Sequence, residues 1–360
     1  MKDTLVFIST FASPHTLPFG VEAAKFYSEV VFINTMPLTE ERLRMGYDIS
    51  SDSVEIINLS DSEQRCRELI LSARDVILSG TRFDLVSERI EAGGSVYIAH
   101  ERLFKKGVLK LLDPRTWKIS AFCRRVRNKN VFLLSIGDFA ARDFVRLGFN
   151  KDKVYRFGYF PKSSVAPAPE RVPSGVTKIL WVGRMVGFKR PKMALKAARL
   201  LPEDFELTMA GDGALWNGVK AYARRKNIAA TLLGNTPNDK VIELMRESDI
   251  LLSTSDRGEG WGAVINEGMS AGCAVVCSDT IGCAGTLADG KNSVIFATHS
   301  VKDLKRAIIE ARDRREELGL LGRLTVEKEF NARVAAERFA ALAGVIDKNI
   351  FKDGICSKVF

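Results

Sequence analysis

A chain of 360 residues is long for a single core, so its length predicts two domains. With 46% hydrophobic and 27% charged residues, its composition excludes a disordered or fibrous protein. No apolar run reaches the roughly 20 residues needed to cross a bilayer, and the net charge of +10 turns attention to acidic partners.

The N-terminus MKDTLVFIST reads as a first strand, not as a basic-then-apolar leader. Five further runs rich in Val, Ile and Leu follow: VVFINT, VEIINL, DVILSG, SVYIAH and VFLLSI. Helical patterns such as VEAAKFYSE, SEQRCRELILSA and RFDLVSERIEAG lie between them. Strand–helix alternation at this spacing predicts an α/β fold with a parallel sheet covered on both faces, over residues 1–160.

Within that half, residues 102–129 hold ten basic residues against one acidic residue, Asp113. Leu103, Phe104, Val108, Leu109, Leu111, Leu112, Trp117 and Phe122 are interleaved with them. A basic amphipathic segment of this kind fits an anionic membrane surface or an acidic ligand. A solvated face over a buried apolar stripe fits the same pattern. Nucleic acid is not an expected partner, because no recognition module accompanies the charge.

Residues 161–175 hold four of the eleven prolines (Pro161, Pro167, Pro169, Pro173) and read as a linker. A second alternating half follows over 176–335. Its strands are KILWVG, FELTMAG, ATLLG, DILLSTS and AVVCSD, with helices RPKMALKAARLL, ALWNGVKAYARRK, NDKVIELMRES and WGAVINEGMSA between them. Helical patterns continue through SVKDLKRAIIEARD to a tail over 336–360, which can cross back to the first domain. The expected architecture is two doubly wound, Rossmann-like parallel-sheet domains facing a central cleft, with ligands at the carboxyl ends of the strands.

Three loops of the second half carry chemistry. Strand DILLSTS ends in a glycine-rich turn, RGEGWG, that opens a helix near Trp261 and ends at Gly272. Bare backbone N–H groups at a helix N-terminus favour a phosphate. Glu259 lies in that turn. Glu267 lies about two helical turns along, some 9–12 Å away at the helical rise, a separation that spans sugar, diphosphate and ribose. An exposed loop glutamate and an ordinary helix glutamate also fit the spacing. The loop GRMVGFKRP supplies Arg184 and Lys189, two cations placed to clamp a diphosphate and neutralise a leaving group. It is not a Walker A loop. GDGALWNG, with Gly211 and Gly213, lacks the third glycine of the dinucleotide fingerprint and reads as a close-approach turn lining a nucleotide cleft.

GRMVGFKRP, MAGDGALW, LLGNTPNDKVIELMRESDILLSTS, EGWGAVINE and GMSAGCAVVCSD together resemble the donor-binding domain of a family 4 glycosyltransferase, the retaining kind with the GT-B fold. The likeness covers roughly residues 178–330. More loosely, SPHTLPF, EERLRMGYD, ERLFKKG and VYRFGYFPK resemble the acceptor domain of bacterial members that build surface polysaccharides. The resemblance implies that Arg184 and Lys189 hold the donor diphosphate, Glu259 the transferred sugar and Glu267 the ribose. Gly260, Trp261, Gly262, Ala263 and Val264 would add phosphate contacts from their backbone. His100, ending strand SVYIAH, is implied as a polar helper facing the reacting sugar, and His15, Glu101 and Arg102 as acceptor-side residues. One departure stands out: the first loop reads ASPHTLPFG, without the glycine pair many family members place there.

The resemblance also implies no cofactor beyond the nucleotide-diphosphate sugar substrate, no metal, a glycan or lipid-linked acceptor, and a cytoplasmic protein that can rest on the inner face of the membrane. The six cysteines are scattered and are expected as reduced, buried thiols. The rival readings are a nucleotide-sugar epimerase of the same architecture, for which the chain looks poor in acid–base groups, and a non-catalytic nucleotide-sugar-binding subunit. A glycan phosphorylase would need a pyridoxal lysine that nothing announces.

Overall fold

A computed structural model describes residues 3–38, 49–105, 107, 111–161, 175–347, 351 and 353–360. The stretch EERLRMGYD (40–48), Lys106 and most of the proline-rich segment lie outside the described residues. The chain divides into two compact units. The first comprises Met1–Lys162 with Glu329–Phe360, and the second Ser163–Lys328.

The first unit is built on seven parallel strands: β1 (Thr4–Ser9), β2 (Glu29–Asn34), β3 (Glu55–Asn58), β4 (Asp75–Ser79), β5 (Val96–His100), β6 (Val131–Ile136) and β7 (Val154–Phe157). Their order is β3-β2-β1-β4-β5-β6-β7. Every residue of β1 is buried, as expected for a central strand covered on both faces. The helix expected over VEAAKFYSE instead runs from Leu17 to Ala23, with a proline in its first turn. Its Phe19 meets Phe339 of the helix Ala332–Leu342 edge-on at 5.7 Å, and Phe339 also meets Tyr97 of β5 at 4.9 Å. Residues distant in sequence thereby close this core.

Strand β7 was not among the expected strands. Its four residues VYRF carry an arginine and give too short a pattern to stand out. It pairs with β6 on one side, and the C-terminal segment covers its other edge. Arg156 N–H donates to Ser357 (2.9 Å), Cys356 N–H to Arg156 (2.8 Å) and Val359 N–H to Val154 (3.1 Å). An edge with unpaired N–H and C=O groups is thus occupied from within the chain.

The second unit holds six parallel strands: β8 (Thr177–Val182), β9 (Phe205–Ala210), β10 (Thr231–Gly234), β11 (Ile250–Ser253), β12 (Ala274–Ser278) and β13 (Val294–Phe296). They run in the order β10-β9-β8-β11-β12-β13. The three-residue β13 is also absent from the sequence reading, being too short to show a period. In each sheet the order reverses at its centre, between β1 and β4 and between β8 and β11. Crevices at the carboxyl ends of such strand pairs are the ligand sites of open α/β sheets. All six cysteines are buried thiols outside any disulfide.

Ile355 is fully buried in the segment that caps β7. Ile355→Ala is expected to lower stability by about 3 kcal/mol, the usual range for a large-to-small core change. Chemical denaturation followed by circular dichroism checks this.

Candidate active site

Strands β8 and β11 are hydrogen-bonded neighbours, with Trp181 opposite Leu252. The loops leaving their carboxyl ends therefore emerge side by side. One is Gly183–Arg190, and the other runs from Thr254 into the helix Ala263–Ser270. Thr254 ties them together. Its hydroxyl accepts the indole N–H of Trp181 (2.9 Å) and donates to the carbonyl of Lys189 (2.8 Å). Asp256 N–H reaches the carbonyl of Phe188 at 2.8 Å, a second bond between the same loops.

This frame brings Lys189 and Glu259 into an ion pair, Nζ to Oε2 at 2.5 Å. Their side chains are only 15% and 14% exposed, so the pair is more strongly coupled than one on an open surface. Ser255 Oγ donates to the same carboxylate oxygen at 3.0 Å. Lys189 thus lies over Gly183 with its charge fixed in direction, while Arg184 of the same loop stands exposed. Next to Lys189, Arg190 adopts a left-handed conformation (φ 51°) that ends the turn Gly187–Lys189 and starts the helix Pro191–Ala198; its guanidinium contacts His299.

The glycine-rich turn supplies backbone donors, as its composition predicts. The helix begins at Ala263, two residues later than expected, because Gly262 is its N-cap and takes φ 96°, a value that disfavours any residue with a Cβ. Ile265 N–H already bonds back to Gly262, leaving Ala263 and Val264 among the first-turn donors that an α-helix cannot satisfy internally. Trp261 is only 1% exposed, and its indole N–H is held by Asn266 at 2.8 Å. Its carbonyl accepts from Cys283 N–H at 3.0 Å. Trp261 therefore anchors the turn, with its side chain directed into the core.

Glu267 sits on the same helix, partly buried. Burial pushes its carboxyl up to about 7, and the Lys189 charge offsets only part of that rise. Two glutamates eight positions apart thus have different partners, Glu259 in an ion pair with Lys189 and Glu267 desolvated on the helix. Gly211 and Gly213 follow β9 and pack against the Gly183–Met185 backbone. Gly183 N–H donates to Ala210 (3.0 Å), Met185 N–H to Asp212 (2.6 Å) and Gly211 N–H to Gly234 (2.7 Å). The structure accordingly gathers Arg184, Lys189, Gly211, Gly213, Glu259 and the 260–264 turn at one end of one sheet.

The remaining candidates belong to the first unit. His100 ends β5, with Nδ1 2.5 Å from the Glu101 carbonyl and its ring edge-on to Phe144 at 5.2 Å. A carbonyl only accepts, so Nδ1 carries the hydrogen and Nε2 is left as an acceptor. Burial lowers the ring's pKa and keeps it neutral. Glu101 pairs with Lys105 at 2.5 Å. Arg102 is 7% exposed, with its guanidinium stacked 4.2 Å over Phe139. His15 lines a small aromatic pocket with Phe7, Phe19, Phe157 and Tyr159 at the carboxyl ends of β1 and β7. Sequence reasoning missed Asp143. Its carboxylate accepts from the N–H groups of Leu103 (2.8 Å) and Phe104 (2.9 Å), holding the segment that follows His100. It also missed Ser255 and Gly282, whose roles are purely tertiary.

Residues 165–319 match the family model described as glycosyl transferases group 1. That match lies within the second unit. An uncharacterized glycosyltransferase of Methanocaldococcus jannaschii is 29% identical over 160 residues, 44% of this chain and 44% of that protein. The chain therefore aligns with less than half the length of this relative. The fold is similar throughout to HepE of Anabaena, solved in complex with UDP (TM-score 0.72, 12% identity, 96% of this chain and 100% of that one). It is similar also to the lipopolysaccharide outer core galactosyltransferase WaaB in its apo form (TM-score 0.68, 17% identity, 94% and 98%). The architecture, two Rossmann-like units, is that of GT-B glycosyltransferases.

Two outcomes are expected for the second unit. A Cβ placed on Gly282 would lie 1.6 Å from the Gly260 carbonyl oxygen. Gly282→Ala is expected to displace the 260–262 turn and lower the unfolding free energy by about 1–3 kcal/mol, measured by chemical denaturation, since backbone cannot yield there as a flexible side chain can. For Glu267, the folded-state pKa lies above the unfolded value. Its burial therefore costs stability as pH rises from about 4.5 to 7. Glu267→Gln is expected to raise the unfolding free energy at pH 8 by up to about 3 kcal/mol and to leave it nearly unchanged at pH 4.5.

Proposed function

We propose that the protein is a retaining glycosyltransferase that moves a sugar from a nucleotide-diphosphate sugar to a glycan or lipid-linked glycan acceptor, in the building of a surface polysaccharide. The observation that carries this reading is the Lys189–Glu259 pair beside the N-terminus of the helix Ala263–Ser270. An ammonium group and first-turn backbone donors are what a diphosphate would need from this site.

In this proposal Lys189, Arg184 and the donors of Ala263 and Val264 stabilise charge growing on the departing nucleoside diphosphate. That positive charge comes from the chain's own residues, and transfer is proposed to need no metal. Glu259 directs Lys189 and offers its second oxygen to the transferred sugar. Glu267 accepts from the ribose hydroxyls. The acceptor hydroxyl attacks from the leaving group's face, and its proton passes to the departing phosphate oxygen. His100, neutral with Nε2 as acceptor, orients a hydroxyl of the reacting sugar. UDP-sugars are the first donors to try, because HepE was solved with UDP.

A panel of UDP-, GDP- and ADP-sugars, assayed for nucleotide release with and without membrane extract, tests the reading. Release from one donor, stimulated by extract and unchanged by chelator, is the expected result, and the product's anomeric configuration by NMR should equal the donor's. Lys189→Ala is expected to lower kcat about 100-fold or more. Binding of one donor without release in any extract would leave a nucleotide-sugar-binding subunit, and absence of both would overturn the site.

Donor affinity should also depend on pH. If Glu267 accepts from ribose as a carboxylate, binding strengthens as pH rises through about 7, where it ionises in the free protein. The dependence should flatten in Glu267→Gln, measured by calorimetric titration with the active nucleotide sugar.

A further inference from the structure

The helix Pro114–Arg125 and the turn before it present a surface that the proposed chemistry does not use. The helix buries Thr116, Ile119, Phe122 and Cys123 against the first unit's core. Its opposite face, with the preceding turn, exposes three large apolar side chains close together: Leu111 (37%), Leu112 (72%) and Trp117 (61%). The Trp117 indole N–H donates to the Leu111 carbonyl at 2.8 Å, so the ring is held beside the two leucines.

Around this wedge the charge is of one sign. Arg115, Lys118, Arg124, Arg125 and Arg127 are exposed. The one acidic residue within 111–127, Asp113, caps the helix by accepting from Arg115 N–H at 2.9 Å. On the neighbouring element, Glu88 is engaged by Arg67 (2.8 Å) and Glu91 by Lys129 (3.0 Å). Two charges of the long basic segment are thereby consumed locally, Lys129 by Glu91 and Lys105 by Glu101. Among the described residues of this segment, the exposed cations outside those pairs are Arg115, Lys118, Arg124 and Arg125 on the helix, the last also donating to Ser87 Oγ at 3.1 Å, and Arg127 just beyond it.

We propose that this face docks on an anionic lipid bilayer, with Leu111, Leu112 and Trp117 entering the headgroup–acyl boundary and Arg115, Lys118, Arg124 and Arg125 lying against lipid phosphates. Each component answers one property of such a surface. A free phosphate would satisfy the cations and leave the wedge in water, while an uncharged apolar partner would leave the cations without purpose. Indole at the boundary keeps its N–H satisfied, here by the Leu111 carbonyl, while its apolar body is buried. Holding the ring in advance removes part of the ordering cost of insertion. The inference is independent of the glycosyl-transfer reading, because it concerns binding alone.

Co-sedimentation of the full chain with vesicles tests it. Binding to mixed phosphatidylcholine–phosphatidylglycerol vesicles should exceed binding to pure phosphatidylcholine by roughly tenfold or more at low salt, and should fall as salt is raised. Both a Leu112→Ser/Trp117→Ser variant and an Arg115→Glu/Lys118→Glu/Arg124→Glu variant should lose most of that binding, while circular dichroism melts show that each remains folded. In the otherwise unaltered chain, tryptophan emission should shift to the blue on adding the anionic vesicles, and the shift should vanish in Trp117→Phe. Equal binding to both vesicle types would overturn the proposal. So would loss in the charge variant alone, or competition by inorganic phosphate that abolishes sedimentation, since either would mark a phosphate-binding patch without insertion.

Discussion

The pairing of β8 with β11 is the constraint on which the second unit's chemistry depends. Strand order places these two side by side although 67 residues, 183–249, lie between them in the sequence. Their outgoing loops share one hydroxyl, that of Thr254, which links the Trp181 indole to the Lys189 carbonyl. Lys189 and Glu259 meet because this frame leaves them no other direction. The ion pair is a consequence of the sheet rather than a cause of it, since side-chain attraction of this size could not align two loops against their conformational entropy. What the pair contributes is direction. Lys189 is a flexible side chain, and tying its ammonium to Glu259 presents charge at one place before any ligand arrives.

The first unit solves a different problem with similar parts. Its parallel sheet ends in a short strand, β7, whose outer edge the C-terminal segment covers by antiparallel pairing. The helix Ala332–Leu342 then closes the core against Phe19 and Tyr97. Residues beyond Glu329 are therefore structural members of the unit that the N-terminus begins. Stability there is tied to the far end of the chain. The basic helix Pro114–Arg125, by contrast, is anchored locally through Asp113 and its buried apolar stripe, so its outer face can vary in charge at little cost to the fold.

Much of this was legible in the sequence, and the misses have physical causes. Long apolar strands such as TLVFIS and KILWV announce themselves because burial on both faces demands uninterrupted Val, Ile and Leu. VYRF and VIF do not, because their pairing is decided by neighbours remote in sequence. The glycine-rich turn before Ala263 was readable from glycine spacing, and so was the proximity of backbone donors to Glu259. The contact between Gly260 and Gly282 was not, because close approach of two backbones leaves no pattern but a second glycine in an unremarkable loop. Asp143 was hidden in the same way. A carboxylate within DFAARDFVR looks like a solvated helix residue, and only the fold turns it toward the amides of Leu103 and Phe104. Arg102 was legible as a cation, but its burial over Phe139 was not.

The spacing of Glu259 and Glu267 holds more information than its length. A separation of about two turns states how far apart two carboxylates stand, yet it says nothing of their charge. The fold sets these apart. Glu259 sits in the turn, paired with Lys189 Nζ and accepting from Ser255 Oγ. Glu267 sits one face further into the domain, where burial outweighs the same lysine and its carboxyl rises to about 7. One cation is therefore asked to serve both, and it serves the nearer. Drawing Lys189 toward a bound diphosphate would loosen it from Glu259 and leave that carboxylate free for new hydrogen-bond donors. Donors supplied by the same ligand at Glu267 would favour its ionised form. Under the proposed function, binding of a polyhydroxylated anion and redistribution of charge in the site would be coupled through a single ammonium group.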